Sequence, residues 1–232
     1  MKRKRSIPRR GPVLLTGFEP FGGHELNPSG EIVKRLDGST IAGTKIVGRV
    51  LPVVMDGLAA RIAVLIAEIR PRAVIGLGLA AGETVIRLER QATNRADFRI
   101  PDNAGVRLNG QPIDPQGPPT RPTRLPIERI HAALVAKGIP ARLSDSAGLY
   151  LCNVAMYEIL AKGADDIPSG FVHLPHLRAE VARRLAETPA PAEPANFASM
   201  EYPTLRRAVE IIVEETVRRS ARLTRQGPAP RA

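Results

Sequence analysis

Short apolar runs closed by glycine or proline alternate along this chain with stretches whose apolar residues recur every three or four positions. That alternation is what limits the folds open to it. Val13 to Thr16 is a buried-strand run closed by Gly17, and Asn27-Pro-Ser-Gly-Glu31 opens a helix that stops near Gly38. Lys45 to Val53 is rich in β-branched residues and reads as a strand. Met55, Leu58, Ile62, Leu65, Ile66 and Ile69 keep helical spacing until Pro71. Strands are expected at Ala73 to Leu79, Val85 to Arg90, Ala141 to Ser144 and Gly170 to Leu174. Helices are expected around Ile127, Ile130 and Leu134, from Cys152 to Lys162, and at Leu205, Val209, Ile212, Val213 and Thr216. The pattern predicts a single-domain α/β/α sandwich, a mostly parallel twisted sheet flanked by helices. Only 3% of residues are aromatic against 43% hydrophobic, so Ala, Val, Leu and Ile must build the core. Residues 101–123 carry six prolines and read as a long surface excursion; Thr188 to Ala195 reads as a linker inside the domain.

The net charge of +11 points at first to nucleic acid, but its placement points away. Lys2, Arg3, Lys4, Arg5, Arg9 and Arg10 precede the first strand, and Arg218, Arg219, Arg222, Arg225 and Arg231 follow Glu215. These account for the whole excess, so the body of the chain is neutral. The organisation expected is a basic tail over 1–10, an α/β domain over 11–217 and a basic tail over 218–232, with no specific nucleic-acid partner. The lone Cys152 excludes an internal disulfide and a thiolate-rich metal site and fits a reducing compartment, so a cytoplasmic location is expected. No apolar run is long enough to cross a bilayer, and no membrane partner is expected.

In folds of this class, sites form beyond the carboxyl ends of the strands. Cys152 sits where a strand and a glycine-bearing turn lead into a helix, and a helix start favours thiolate over thiol. Glu89 ends one expected strand and His173 lies in another, which makes a nucleophile, a base and an orienting acid. Each also has a plain structural alternative at this point. Cys152 fits as a small buried hydrophobe, His173 as a core histidine, and Glu89 as the partner of Arg90. His173 and His176 lack a third ligand, so no metal is expected. Gly76-Leu-Gly-Leu-Ala-Ala-Gly82 is not followed by the helix that a dinucleotide site requires.

Four ordered blocks decide among these readings. They are Leu15-Thr-Gly-Phe-Glu-Pro-Phe-Gly-Gly23 with Asn27-Pro-Ser29; Glu89-Arg90 with Asn94 and Arg99-Ile-Pro-Asp-Asn103; Ser146-Ala-Gly-Leu-Tyr-Leu-Cys-Asn153; and Phe171-Val-His-Leu-Pro175. In order and spacing the chain resembles the pyroglutamyl peptidase I family of cysteine peptidases, from about Val13 to Val217. The resemblance implies a cysteine omega-peptidase that removes N-terminal pyroglutamate from peptides through a thioester, without a cofactor, and commonly as a homotetramer. It implies Cys152 as nucleophile, His173 as acid and base, and Glu89 as third member. It also implies Phe18 and Phe21 flanking the ring, Tyr150, Leu151 and Leu79 around it, Asn27 ordering the first loop, and Arg99 nearby. Leu79 stands where many members have glutamine, Glu83 where arginine is common, and Val53 where a hydroxyl residue is usual. Two alternatives follow: hydrolysis of a different small cyclic amide, or a non-catalytic homologue that binds polyanions through its tails.

Overall fold

The computed structural model describes residues 11–187 and 198–225, with side chains as far as Arg218. The expected linker at Thr188 to Ala195 and the basic N-terminal tail lie outside the described residues. The seven-stranded sheet is built from β1 (Val13–Phe18), β2 (Thr40–Ile41), β3 (Thr44–Leu51), β4 (Ala73–Leu79), β5 (Ile86–Glu89), β10 (Ala141–Ser144) and β11 (Ser169–Leu174). Short ribbons join β6 (Gln91–Thr93) to β9 (Thr120–Pro122), β7 (Ala96–Asp97) to β8 (Asn109–Gln111), and β12 (His176–Leu177) to β13 (Ser199–Met200). The helices are α1 (Pro28–Leu36), α2 (Leu58–Ile69), α3 (Ile127–Val135), α4 (Leu151–Lys162), α5 (Arg178–Glu187) and α6 (Tyr202–Arg225). None of the described helices is long and apolar enough to cross a membrane.

The strand order is β10-β5-β11-β4-β1-β3-β2, parallel except that β5 meets β11 antiparallel and β2 meets β3 antiparallel. The expected sandwich is therefore present. Side-chain alternation along each strand separates two cores. Val13, Leu15, Ile75, Leu77, Leu88, Val172 and Leu174 face α1, α3 and α6. Leu14, Phe18, Val74 and Phe171 face α2 and α4. α1 begins as its sequence requires: Asn27 accepts the Ser29 N–H at 3.1 Å, with Pro28 in the first turn.

Three features depart from the expectation. β5 and β10 run parallel to each other but opposite to β11 and β4, so the carboxyl end of β5 at Glu89 lies at the other end of the sheet from the carboxyl end of β11. Residues 101–123 are held down rather than free. Asp102 accepts N–H groups of Met55, Ala104 and Val106, and Tyr157 on α4 donates to the Pro118 carbonyl at 2.9 Å. Prolines deny this segment a long ladder, so carboxylate and amide side chains fix its path instead. Finally, α6 continues as helix to Arg225, past Arg218 where the C-terminal tail was expected to begin.

Candidate active site

The site is built around the missing side chain of Gly78. A Cβ added there would lie 2.7 Å from Cys152 Sγ, so the thiol rests directly on the β4 backbone. In register, Gly78 is the neighbour of His173 on β11. Cys152 is the second residue of α4, whose start is pinned by Asn153. That fully buried amide accepts the Thr93 N–H at 2.9 Å and donates to the carbonyls of Thr93 and Arg95. Thiol and imidazole are brought together by the α4–β4–β11 packing rather than by nearness in sequence.

His173 is buried, and its Nδ1 lies 2.8 Å from Glu89 Oε1. Arg87 and Glu89 on β5 share a face with Phe171 and His173 on β11, and Glu89 reaches the imidazole diagonally across the antiparallel pair. The expected convergence thus occurs across the sheet face, not along one shared strand edge. Arg90 pairs with Asp145 at 3.1 Å rather than with Glu89. Burial is the largest influence on His173 and opposes its charge. The Cys152 thiolate, its hydrogen bond to the ring, and Glu89 together outweigh burial and raise His173 to about 9. His173 is therefore held in its protonated, imidazolium form at neutral pH.

A cleft of about 300 Å³ opens on this pair, lined by Phe21, Leu79, Ala80, Arg87, the Ser146–Gly148 turn and Tyr150 as well as Cys152 and His173. Tyr150 is one face of an aromatic wall, with ring centroids 5.7 Å from Phe21 and 4.8 Å from Phe98. Its hydroxyl donates to the Pro101 carbonyl. Burial, and then the nearby Asp102 and Cys152, push that phenol up to about 12, so it stays neutral.

Other expected site residues lie further back. Phe18 and Leu151 are buried in the core, and Asn27 caps α1 and donates to the Glu19 carbonyl. Arg99 is exposed, and its carbonyl accepts from Arg107. Val53 is buried and works through its backbone, its N–H on Glu19 Oε1 and its carbonyl on the Asn103 N–H. Sequence reasoning missed Arg87, Phe98 and the Ser146–Gly148 turn as parts of the site. The alternation of Arg87 with Glu89 in one strand was the available signal for the first.

The two histidines of β11 and β12 part company. His176 Nδ1 turns to Glu180 Oε2 at 3.2 Å, and His24 faces the other oxygen at 3.6 Å. His24, His176 and Glu180 bring ligand-type atoms within 4.8 Å of one another. Arg184 Nη1, 3.0 Å from His24 Nδ1, already supplies a cation there.

A thiol at a helix start, an imidazole beside it and a buried carboxylate behind define a class: an α/β/α-sandwich enzyme equipped for cysteine acyl transfer. The comparisons then narrow the class. The sequence profile of the pyroglutamyl peptidase family matches residues 12–218. The pyrrolidone-carboxylate peptidase of Pyrococcus furiosus is 41% identical over 207 residues, covering 88% of this chain and 98% of that one. That of Klebsiella pneumoniae is 41% identical over 210 residues, covering 90% and 94%. A crystal structure of the P. furiosus pyrrolidone carboxyl peptidase superposes with a TM-score of 0.82 at 39% identity, covering 90% of this chain and 99% of that one. The chain belongs to the pyroglutamyl peptidase family.

Proposed function

We propose that this protein hydrolyses the amide bond after an N-terminal pyroglutamyl residue, with Cys152 as nucleophile, His173 as acid and base, and Glu89 as the group that orients the imidazole. The observation that carries the reading is the Cys152 thiol seated on Gly78 beside His173, whose Nδ1 is held by Glu89. The Cys152 thiolate attacks the pyroglutamyl carbonyl carbon. The Asn153 and Val154 N–H groups are taken by the Tyr150 carbonyl, so the N–H groups of Leu151 and Cys152 at the start of α4 are the ones to meet the developing oxyanion. His173 gives its proton to the leaving amine as the C–N bond breaks, leaving a thioester. Water, deprotonated by His173, then attacks the thioester, releasing pyroglutamate and restoring the thiol. The lactam is neutral and flat, which suits a cleft walled by Phe21, Tyr150 and Leu79. With Leu79 in that wall, ring recognition falls to apolar contact and backbone amides. A homotetrameric assembly accompanies this reading through the resemblance, and a cytoplasmic setting through the lone cysteine.

The test is hydrolysis of a fluorogenic pyroglutamyl amide by the full chain and by Cys152→Ser. Release of the fluorophore by the parent and none by the variant is expected. An inactive parent overturns the substrate, and an active Cys152→Ser overturns the mechanism.

A further inference from the structure

Arg87 is the register partner of His173 across the antiparallel β5–β11 pair and lines the same cleft. Its guanidinium makes a fork of contacts. Nη2 lies 3.2 Å from Glu89 Oε1, the same oxygen that faces His173 Nδ1. Nη2 also donates to Ser144 Oγ at 3.0 Å and to the Ser146 carbonyl at 2.6 Å. Nη1 faces Glu83 Oε1 at 3.5 Å, and the same oxygen accepts from Arg142 Nη2 at 2.5 Å. One cation therefore ties the carboxylate behind the imidazole to the Ser146–Gly148 wall that leads into the thiol's helix. The side chain is only 19% exposed, so water screens its charge poorly.

We propose that Arg87 is a positioning residue for the reaction: it shares Glu89 with His173, braces the Ser146–Gly148 wall, and through its charge sets the pH range in which the Cys152–His173 pair works. The proposal rests on the assignment of Cys152, His173 and Glu89 made above. The charged groups around Arg87 are Glu83 before β5, Glu89 on β5, His173 on β11, Cys152 on α4 and, beyond Glu83, Arg142 on β10. Within that set Arg87 is the cation that offsets Glu89. Removing it lets Glu89 hold the imidazolium proton to higher pH and takes positive charge away from the thiolate. Both ionisations then move the same way, and the whole working range shifts upward. The fork explains why an arginine is needed: a lysine keeps the charge but presents no planar set of donors.

The experiment compares the parent, Arg87→Gln and Arg87→Lys in two pH profiles. The first is kcat/KM on a pyroglutamyl amide. The second is the rate of Cys152 alkylation by iodoacetamide, which reads the thiol–imidazole pair without any substrate. Arg87→Gln is expected to move both limbs of both profiles upward by about one pH unit, as for a unit charge within ~6 Å. Arg87→Lys should restore the parent's pH range while kcat stays about tenfold down, a loss matched to one misplaced contact. Profiles of Arg87→Gln that superimpose on the parent's overturn the proposal, however much the rate falls. A parent that is inactive on the pyroglutamyl amide, with alkylation profiles that shift as expected, overturns the substrate and leaves the role of Arg87 standing. If Arg87→Gln does not fold, Glu83→Gln decides the matter. Loss of the anion on the outer side of the guanidinium must shift the alkylation profile to lower pH, and an unmoved profile overturns the proposal.

Discussion

Gly78→Ala puts a methyl group where the thiol lies. The added carbon would stand 2.7 Å from Cys152 Sγ and 2.9 Å from Phe171 Cε1, roughly 1 Å inside ordinary contact of ~3.5–4.0 Å. Phe171 is fully buried and the α4 start is fixed by the three Asn153 hydrogen bonds, so the thiol is the part that must move. A nucleophile displaced by that much should reduce kcat/KM by ~100-fold. The overpacking itself should cost about 1–3 kcal/mol of stability. Gly76→Ala is the control on the same face of β4. Its methyl group would meet Phe171 Cδ2 and Cε2 and Ile159 Cδ1 at 3.2 Å, but not the sulfur. It should destabilise the protein at least as much and keep kcat/KM within a few-fold of the parent at temperatures where it is folded. The assay is steady-state hydrolysis of a pyroglutamyl amide beside thermal melts of both variants. Parent-level activity in Gly78→Ala, or equal activity losses in the two variants, refutes the reasoning.

Asn153→Ala removes three hydrogen bonds in a fully buried place and should lower stability by about 3 kcal/mol, at ~1 kcal/mol for each bond. Urea midpoints within ~0.5 kcal/mol of the parent's would count against that role, as an ordinary surface change would give. Burial acts most strongly on Glu180 and opposes its charge, yet the hydrogen bond with His176, the nearby His24 and the charge of Arg184 hold it down at about 2. A carboxylate depressed in this way stabilises fully above its ordinary value of 4.5, and the contribution is lost as pH falls through about 2. Glu180→Gln should therefore lose less stability than the parent in denaturant titrations between those limits. Parallel losses would show that the cluster is not what holds α5.

Much of this architecture was readable from hydrophobic periodicity. β4, β10 and the body of α2 and α4 fall where apolar spacing puts them, because each buries a face and has no other way to do so. α5 escaped notice since little apolar surface drives it. Its buried residues are Val181 and Glu180, and the latter is held by histidines that lie far away or outside any periodic pattern. The direction of β5 was also invisible. Ile86 to Glu89 alternates equally well in either orientation, and only the pairing with β11 fixes it. At the site, Cys152, His173 and Glu89 were legible as chemistry, but Arg87 was hidden among many arginines whose partners are set by tertiary packing. Phe18 and Leu151 were drawn towards the cleft by their position within recognised blocks, whereas alternation along β1 and the inner face of α4 turn them into the core.

The place of β11 in the sheet has a consequence for the order in which the protein matures. β5 and β10 pair with each other, and within the sheet the strand that joins them to β4 is β11, which is synthesised after both. Glu89 thus leaves the ribosome on a strand that has no place in the sheet beside β4 until β11 is made, whereas the thiol's helix packs on β4 itself. The strand that closes the gap is the one that carries His173. Closure of the sheet and completion of the Cys152–His173–Glu89 set are a single event, so a nascent chain without β11 holds the thiol and the acid but no peptidase.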